Sequence, residues 1–311
     1  MANTPQHAEP SEPERERARG IRSNARAASD VVGEKLVIGY PSADEPVIKR
    51  ETISAEPGAV TALIGPNGSG KSTLLKGLAN QLAPDSGSVL IDGNDIHSLG
   101  PKELARKLGL LSQESVAPDS LIVEDLVMHG RYPHRGFFES VTDADRRAVE
   151  RAIDLAGCGH LREREVGQLS GGQKQLVWIA MVLAQETDVL LLDEPTTFLD
   201  LHHQLEVMEI VETLRDESEI TVVVVLHDIE QAARHADYMV ALKDGAIQAR
   251  GSPETVITEE LLAEVFEIEA EVEPTARGPR ITPIRALHDT GARGPEEREA
   301  VESTRIADDR P

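Results

Sequence analysis

Gly65-Pro-Asn-Gly-Ser-Gly-Lys71-Ser72 fits the spacing G-x-x-x-x-G-K-[ST] and stands between an apolar run, VTALI (60–64), and a helical pattern, STLLKGLANQL (72–82). That context gives the spacing its chemistry. Glycines let successive backbone N–H groups converge on phosphate oxygens, and a helix N-terminus adds the positive end of its dipole. Lys71 is placed to reach the outer phosphates of a nucleotide and the Ser72 hydroxyl to ligate Mg²⁺, with Gly65, Pro66, Asn67, Gly68, Ser69, Gly70 and Thr73 completing the cradle. VLLLDEP (189–195) is an apolar strand ending in two carboxylates, which a buried strand does not present at its edge without a cation or proton. Asp193 is the expected Mg²⁺ partner, and Glu194, pointing elsewhere, is placed to polarise water attacking a terminal phosphate. His227 ends TVVVVL (221–226) at the same edge, where a neutral imidazole can bond that phosphate or hold the water. A second phosphate cradle comes from Leu169-Ser-Gly-Gly-Gln173, which opens the helical pattern KQLVWIAMVLAQ (174–185).

Such residues need a scaffold that ends several strands at one edge. Over 31–287 short β-branched runs alternate with helical patterns, which predicts an α/β fold with a mainly parallel sheet flanked by helices. VTALI, SVLID (88–92), LGLLS (108–112), VLLLD (189–193) and TVVVVL are the clearest strands, several of them apolar throughout as buried parallel strands are. YMVALKDGAIQARG (238–251) alternates around Asp244-Gly245 and predicts a β-hairpin with a tight turn. No strand pattern occurs between Gln113 and Ser170. A short helix around 123–130 and a longer one opened by the capping box Thr142-Asp-Ala-Asp145 predict a helical lobe over about 114–185. Residues 258–266 read as a helix, and the pairing of the acidic stretch from there to Arg285 stays open. Residues 1–30 and 288–311 lack any hydrophobic period and predict disordered tails around a single domain at 31–287.

Fifty-five acidic against 32 basic residues give a formal charge of −23, which argues against a surface that grips nucleic acid. The tails hold little of it, because 31–287 alone carries a net −20. Only 8 of the 32 basic residues are Lys, and an acidic, Lys-poor surface suits multimolar salt, which screens self-repulsion. The reading is a halophilic protein, with an acidic mesophilic one as the alternative. One cysteine, Cys158, cannot close an internal disulfide, no secretory pattern opens the chain, and no apolar run approaches the roughly 18 residues of a spanning helix. A cytoplasmic location is expected.

GPNGSGKST, Gln113, LSGGQ, VLLLDEP, Phe198-Leu-Asp200 and His227, in this order, resemble the ATPase subunit of ATP-binding cassette (ABC) transporters over roughly 33–285. The resemblance implies a P-loop NTPase sheet with an antiparallel portion and a helical signature lobe, binding ATP and Mg²⁺. It also implies a head-to-tail homodimer in which Ser170, Gly171, Gly172 and Gln173 of one subunit contact ATP held by the other. By position in that family, Tyr40 stacks on adenine, Gln113 senses Mg²⁺ and couples to the membrane partner, and Asp200 lies at the dimer seam. Lys174 stands where many relatives have Arg. The segments at 121–138, 194–204, 225–237 and 251–266 look most like ATPases that energise import of iron-siderophore chelates, with cobalamin or haem as alternative cargo. That type implies two integral-membrane permease subunits, an indirect extracellular binding protein and a peripheral position on the cytoplasmic face of the membrane. A soluble, non-transport ABC ATPase is less favoured, since the 113–170 span is short and the chain has one cassette; intact Lys71, Glu194 and His227 speak against a nonhydrolytic regulator.

Other reactive side chains read as structural. Cys158 is expected buried and inert. His202-His203 opens a helix with an expected apolar face of Leu201, Leu205, Met208 and Val211, and adjacent side chains diverge, so a helix-surface role is preferred to a metal site.

Overall fold

The structure, a computed structural model, describes residues 28–287 apart from 114, 137 and 138. The tails expected at 1–30 and 288–311 lie outside the described residues except for 28–30, where Ser29 is buried and its carbonyl accepts from Thr221 Oγ1 at 2.6 Å.

The chain opens with β1 (Val31–Ile38), β2 (Ile48–Ala55) and β3 (Val60–Ile64), then α1 (Lys71–Leu78), β4 (Ser86–Ile91) and the short β5 (Asn94–Asp95). After α2 (Pro101–Lys107) and β6 (Leu108–Leu111) come α3 (Val123–His129), α4 (Asp143–Leu155) and α5 (Gly171–Leu183). The second half runs β7 (Val189–Asp193), α6 (Leu201–Ser218), β8 (Thr221–Val225), α7 (Ile229–His235), β9 (Tyr238–Lys243) and β10 (Ala246–Gly251). It ends with α8 (Pro253–Val256), α9 (Glu259–Phe266) and the strands β11 (Ile268–Glu273) and β12 (Arg280–Ala286).

A six-stranded sheet in the order β10-β9-β3-β8-β7-β6 is parallel except for β10. Every residue of β3, β7 and β8 is buried, because both faces of the sheet are covered. Successive side chains alternate between two cores. Val60, Ala62, Ile64, Leu190, Leu192, Val222 and Val224 join the core shared with α3 to α7, whereas Leu63, Val189, Leu191, Val223 and Val225 join the core under α1 and the strands β1, β2 and β4. Those three strands and β5 form a separate antiparallel sheet in the order β2-β1-β4-β5. SVLID therefore belongs to the antiparallel sheet, and its half-buried alternation fits that place better than a buried parallel strand.

The hairpin forms as read, with Asp244 (φ 51°) and Gly245 (φ 77°) both left-handed as a two-residue turn between right-twisted strands requires. Helix α4 starts on a complete capping box, Thr142 and Asp145 each bonding the other's backbone N–H. The stretch to Arg285, left open by the sequence, pairs as the antiparallel hairpin β11–β12. One expectation fails. Helix α6 buries Val207, Met208, Ile210, Val211 and Leu214, but Leu201 and Leu205 are 70% and 40% exposed, since the first turns of the helix lie beyond the core that covers the rest.

Candidate nucleotide site

Three strands of the parallel sheet end side by side, and the residues that follow them meet. Gln113 follows β6, Glu194 follows β7 and His227 follows β8. Glu194 has a left-handed backbone (φ 53°) that turns its side chain away from that of Asp193. One carboxylate oxygen, Oε1, lies 2.6 Å from His227 Nε2; the other, Oε2, accepts from Gln113 Nε2 at 2.8 Å and from Thr197 Oγ1 at 3.3 Å. Thr197 was not singled out in the sequence; its signal is only its place three residues after the second carboxylate of an apolar strand.

The glycine loop joins β3 to α1. Gly65 (φ 148°) admits no side chain, because a Cβ would overlap the Leu242 carbonyl and come within 2.8 Å of Ser69 Oγ. At Gly68 (φ 80°) a Cβ would meet nothing within 4 Å, so the loop's backbone there faces open space. The β9–β10 turn pins the loop from outside. Gly245 N–H donates to the Ser69 carbonyl at 3.0 Å, and the Gly245 carbonyl accepts from Lys49 N–H at 3.0 Å. Lys71 is 5% exposed and its Nζ donates to the Gly65 and Pro66 carbonyls at 2.8 and 3.0 Å, which holds the ammonium against the loop. Burial lowers its pKa, opposed by the nearby Glu194 and Asp193 carboxylates.

Ser72 Oγ donates to Asp193 Oδ1 at 2.7 Å. Asp193 is 2% exposed, and among the described residues its buried Oδ2 finds no hydrogen-bond partner. Burial raises its pKa, against the Ser72 hydroxyl and the Lys76 and Lys71 charges. A buried carboxylate oxygen without a partner beside a serine hydroxyl is the hard oxygen donor set that Mg²⁺ takes, together with phosphate oxygens and water. The residues present therefore fit Mg²⁺, with Ser72 and Asp193 as the ligands the chain offers.

Tyr40 stands over the start of α1, its hydroxyl 3.2 Å from Thr73 Oγ1, and is 39% exposed. With Val47, Asn67, Gly68, Ser72 and Glu194 it borders a cleft of about 300 Å³. A larger concavity of about 530 Å³ lies between α7 and the β11–β12 hairpin, but no residue of the glycine loop or of the strand ends lines it. Ser170, Gly171, Gly172 and Gln173 do not border the nucleotide cleft of their own chain. Ser170 caps α5, its Oγ accepting from Gln173 N–H at 3.3 Å and its own N–H donating to Gln173 Oε1 at 3.2 Å, and Ser170 and Gly171 are exposed. Asp200 caps α6 and is also exposed.

The model of the family described as ABC transporter matches residues 48–197. The ferric enterobactin transport ATP-binding protein FepC of Escherichia coli (strain K12) is 42% identical over 254 residues, covering 81% of this chain and 93% of that protein. The chain belongs to the ABC transporter family. As an ABC ATP-binding protein it is also 44% identical to the iron(3+)-hydroxamate import ATP-binding protein FhuC of Bacillus subtilis (strain 168), over 77% of this chain and 88% of that one. Among solved structures, an inward-facing ABC transporter assigned to the metal-chelate type superposes with a TM-score of 0.70 at 27% identity, covering 83% of this chain and 98% of that one. A dimeric ATP-binding cassette, MJ0796, in a post-hydrolysis state with ADP and Pi superposes with a TM-score of 0.63 at 28% identity, over 71% and 98% of the two chains. Among the described residues no helix is long and apolar enough to cross a membrane.

Proposed function

We propose that this ABC protein is the ATP-hydrolysing subunit of an importer that takes up iron-siderophore chelates. The relatives named for ferric enterobactin and iron-hydroxamate transport and the neighbour of metal-chelate type support the cargo. The observation that carries the chemistry is the bracing of Glu194 from both sides, by His227 at 2.6 Å and Gln113 at 2.8 Å, next to the Ser72–Asp193 pair.

In this reading Gly65 to Thr73 hold the phosphates through backbone N–H groups and Lys71, and Tyr40 stacks on the adenine. Ser72 and Asp193 would hold Mg²⁺, with Gln113 near enough to sense it through Glu194, and the ion would supply charge neutralisation at the phosphates. Glu194 takes the proton of the attacking water, while His227 orients that water against the terminal phosphate. Ser170, Gly171, Gly172 and Gln173, absent from their own cleft, meet the nucleotide of a second subunit across a seam that includes Asp200. Phe198, Leu201 and Leu205, exposed on either side of Asp200, give that seam an apolar component, and the dimeric cassette structure supports the assembly. The homodimer works against two membrane-spanning permease subunits, fed by an extracellular binding protein, and sits peripherally on the cytoplasmic face of the membrane. The acidic, Lys-poor composition supports a halophilic setting.

Glu194→Gln tests the reading. It should retain ATP binding, lose about 10²- to 10⁴-fold in turnover, the range general base catalysis supplies, and accumulate an ATP-dependent dimer in light scattering. Hydrolysis at the wild-type rate would refute the role of Glu194. Deleting the gene should abolish uptake of radiolabelled ferric siderophore; normal ferric uptake with lost cobalamin or haem uptake would move the cargo assignment to that ligand.

A further inference from the structure

The start of α6 touches the start of α5 through one imidazole. His203 lies directly on Gly172: a Cβ built on that glycine would fall 2.5 Å from Cγ and Cδ2 of the ring and 2.8 Å from its Nδ1. The same ring bonds Asp200, whose Oδ1 accepts from His203 Nδ1 at 2.9 Å and from His203 N–H at 3.0 Å. An ionised carboxylate only accepts, so Nδ1 carries a hydrogen in this contact. Among the described residues Asp200 makes no other side-chain hydrogen bond. The neighbouring His202 is 77% exposed at its side chain, whereas His203 is 22% exposed, so the two histidines of the pair play different parts.

Each segment is held locally, the start of α5 by the Ser170–Gln173 cap and the loop by Gln204 Nε2, which donates to the Leu199 carbonyl at 3.0 Å, and the His203 ring joins the one to the other. Gly171 and Gly172 bring no side chain to anchor the exposed end of α5, and the loop before Asp200 carries Phe198 at φ 62° and 96% exposed. We propose that His203 is a positioning residue that joins the loop bearing Asp200 to the Ser170–Gln173 helix start, so that both meet a second copy of the chain as one preformed surface. The proposal rests on the composite-site reading above. Its physical basis is preorganisation: two segments fixed to each other before closure lose less freedom on closure than two that must each be ordered. Two separable features of one side chain do this, a flat ring that fills the space above Gly172 and a donor that holds the Asp200 carboxylate.

The variants His203→Ala, His203→Phe (ring without donor) and His203→Asn (donor without ring) separate them. Each is made alone for steady-state kinetics and in the Glu194→Gln chain for ATP-dependent dimerisation followed by light scattering. His203→Ala should bind a fluorescent ATP analogue as monomer with unchanged affinity and melt at the wild-type temperature. Its kcat should fall about tenfold, and the ATP concentration at half-dimerisation should rise by a similar factor, the scale of one net hydrogen bond with its packing. Phe and Asn should each recover part of the loss. Wild-type kcat and dimerisation in His203→Ala would overturn the proposal, as would Phe and Asn both performing no better than Ala. Equal losses in monomer nucleotide binding and melting temperature would show a merely structural residue. Should the Glu194→Gln chain itself stay monomeric in ATP, the composite-site reading falls and this inference with it; dimerisation that is indifferent to His203 removes this inference alone.

Discussion

Among the described residues Arg131 is the most buried cation outside the nucleotide site, and replacing it with Met tests what holds the helical lobe together. Its Nε donates to Asp145 Oδ1 at 3.1 Å, and its Nη1 donates to Glu186 Oε2 at 2.8 Å and to the Ala184 carbonyl at 2.7 Å. Side-chain exposures of 6% for Arg131 and 5% for Asp145 place the pair out of water. One cation thus ties the end of α3 to the cap of α4 and the last turn of α5. Methionine preserves much of the stem volume, so the loss comes from the stranded partners rather than from a cavity. Removing one member of a buried pair typically costs about 3–5 kcal/mol. The low end applies, because Asp145 Oδ2 keeps the Thr142 N–H and hydroxyl at 3.0 and 2.7 Å and Glu186 keeps Arg151. At roughly 2 °C per kcal/mol for a chain of this size, a loss of about 3 kcal/mol lowers the melting temperature by about 6 °C. Asp145 adds a pH signature. Desolvation pushes its pKa up, but the Thr142 bonds and Arg131 outweigh it and hold the carboxyl below its ordinary 3.8. A depressed carboxyl contributes stability that is present above the unfolded pKa and lost as pH falls through the folded one. The deficit of Arg131→Met should therefore be full at neutral pH and narrow below about pH 4. Urea melts across pH, repeated in multimolar KCl, read this directly, since a buried pair is little screened by salt. A deficit under about 1 kcal/mol at pH 7, with no convergence in acid, would refute the assignment of the lobe's stability to this network.

Lys71→Ala should cost at least about a hundredfold in turnover, as loss of a preorganised cation at a phosphate does; normal ATPase activity would undo the cradle argument. Cys158 is fully buried, its thiol pushed up to about 11 by desolvation, so a thiol reagent at pH 8 should modify the protein only after urea unfolding, and rapid reaction with the native chain would contradict its placement. If the acidic surface is an adaptation to salt, thermal stability should keep rising with KCl beyond the concentrations at which ordinary screening saturates, whereas a flat or falling series would return the acidic mesophilic alternative.

What the sequence made legible is what burial on two faces writes into it. VTALI, VLLLD and TVVVV are apolar at almost every position because each serves two cores, and their ends announce Gly65, Asp193, Glu194 and His227. The strands β1 and β2 carried no such signal. VVGEKLVI breaks its alternation at Glu34 and Lys35, where the pairing register shifts and Lys35 takes φ 48°, and IKRETISA has a left-handed Arg50 at φ 65° with charged residues on its open face. A bulge consumes one residue without advancing the pleat, so a period of two disappears from the letters while the strand remains. Apolar residues on α6 pose the opposite problem. Leu201 and Leu205 keep a helical spacing with Met208, which is the mark of a buried stripe, yet the chain's own core covers only the later part of that stripe.

Hydrophobic spacing reports that a face is kept from water, not which molecule covers it. On α6 the stripe runs out of the core at the same place where Asp200 caps the helix, Phe198 stands 96% exposed and His203 rests on Gly172. In a chain with a formal charge of −23, three large exposed apolar side chains around one acidic cap are out of keeping with a surface otherwise built for solvation. Residues 170–173, which the cleft of their own chain does not use, meet this patch through the His203 contact. In the composite-site proposal, the feature that read in the sequence as the first turns of a core helix becomes the chain's half of an interface, adjoining residues 170–173.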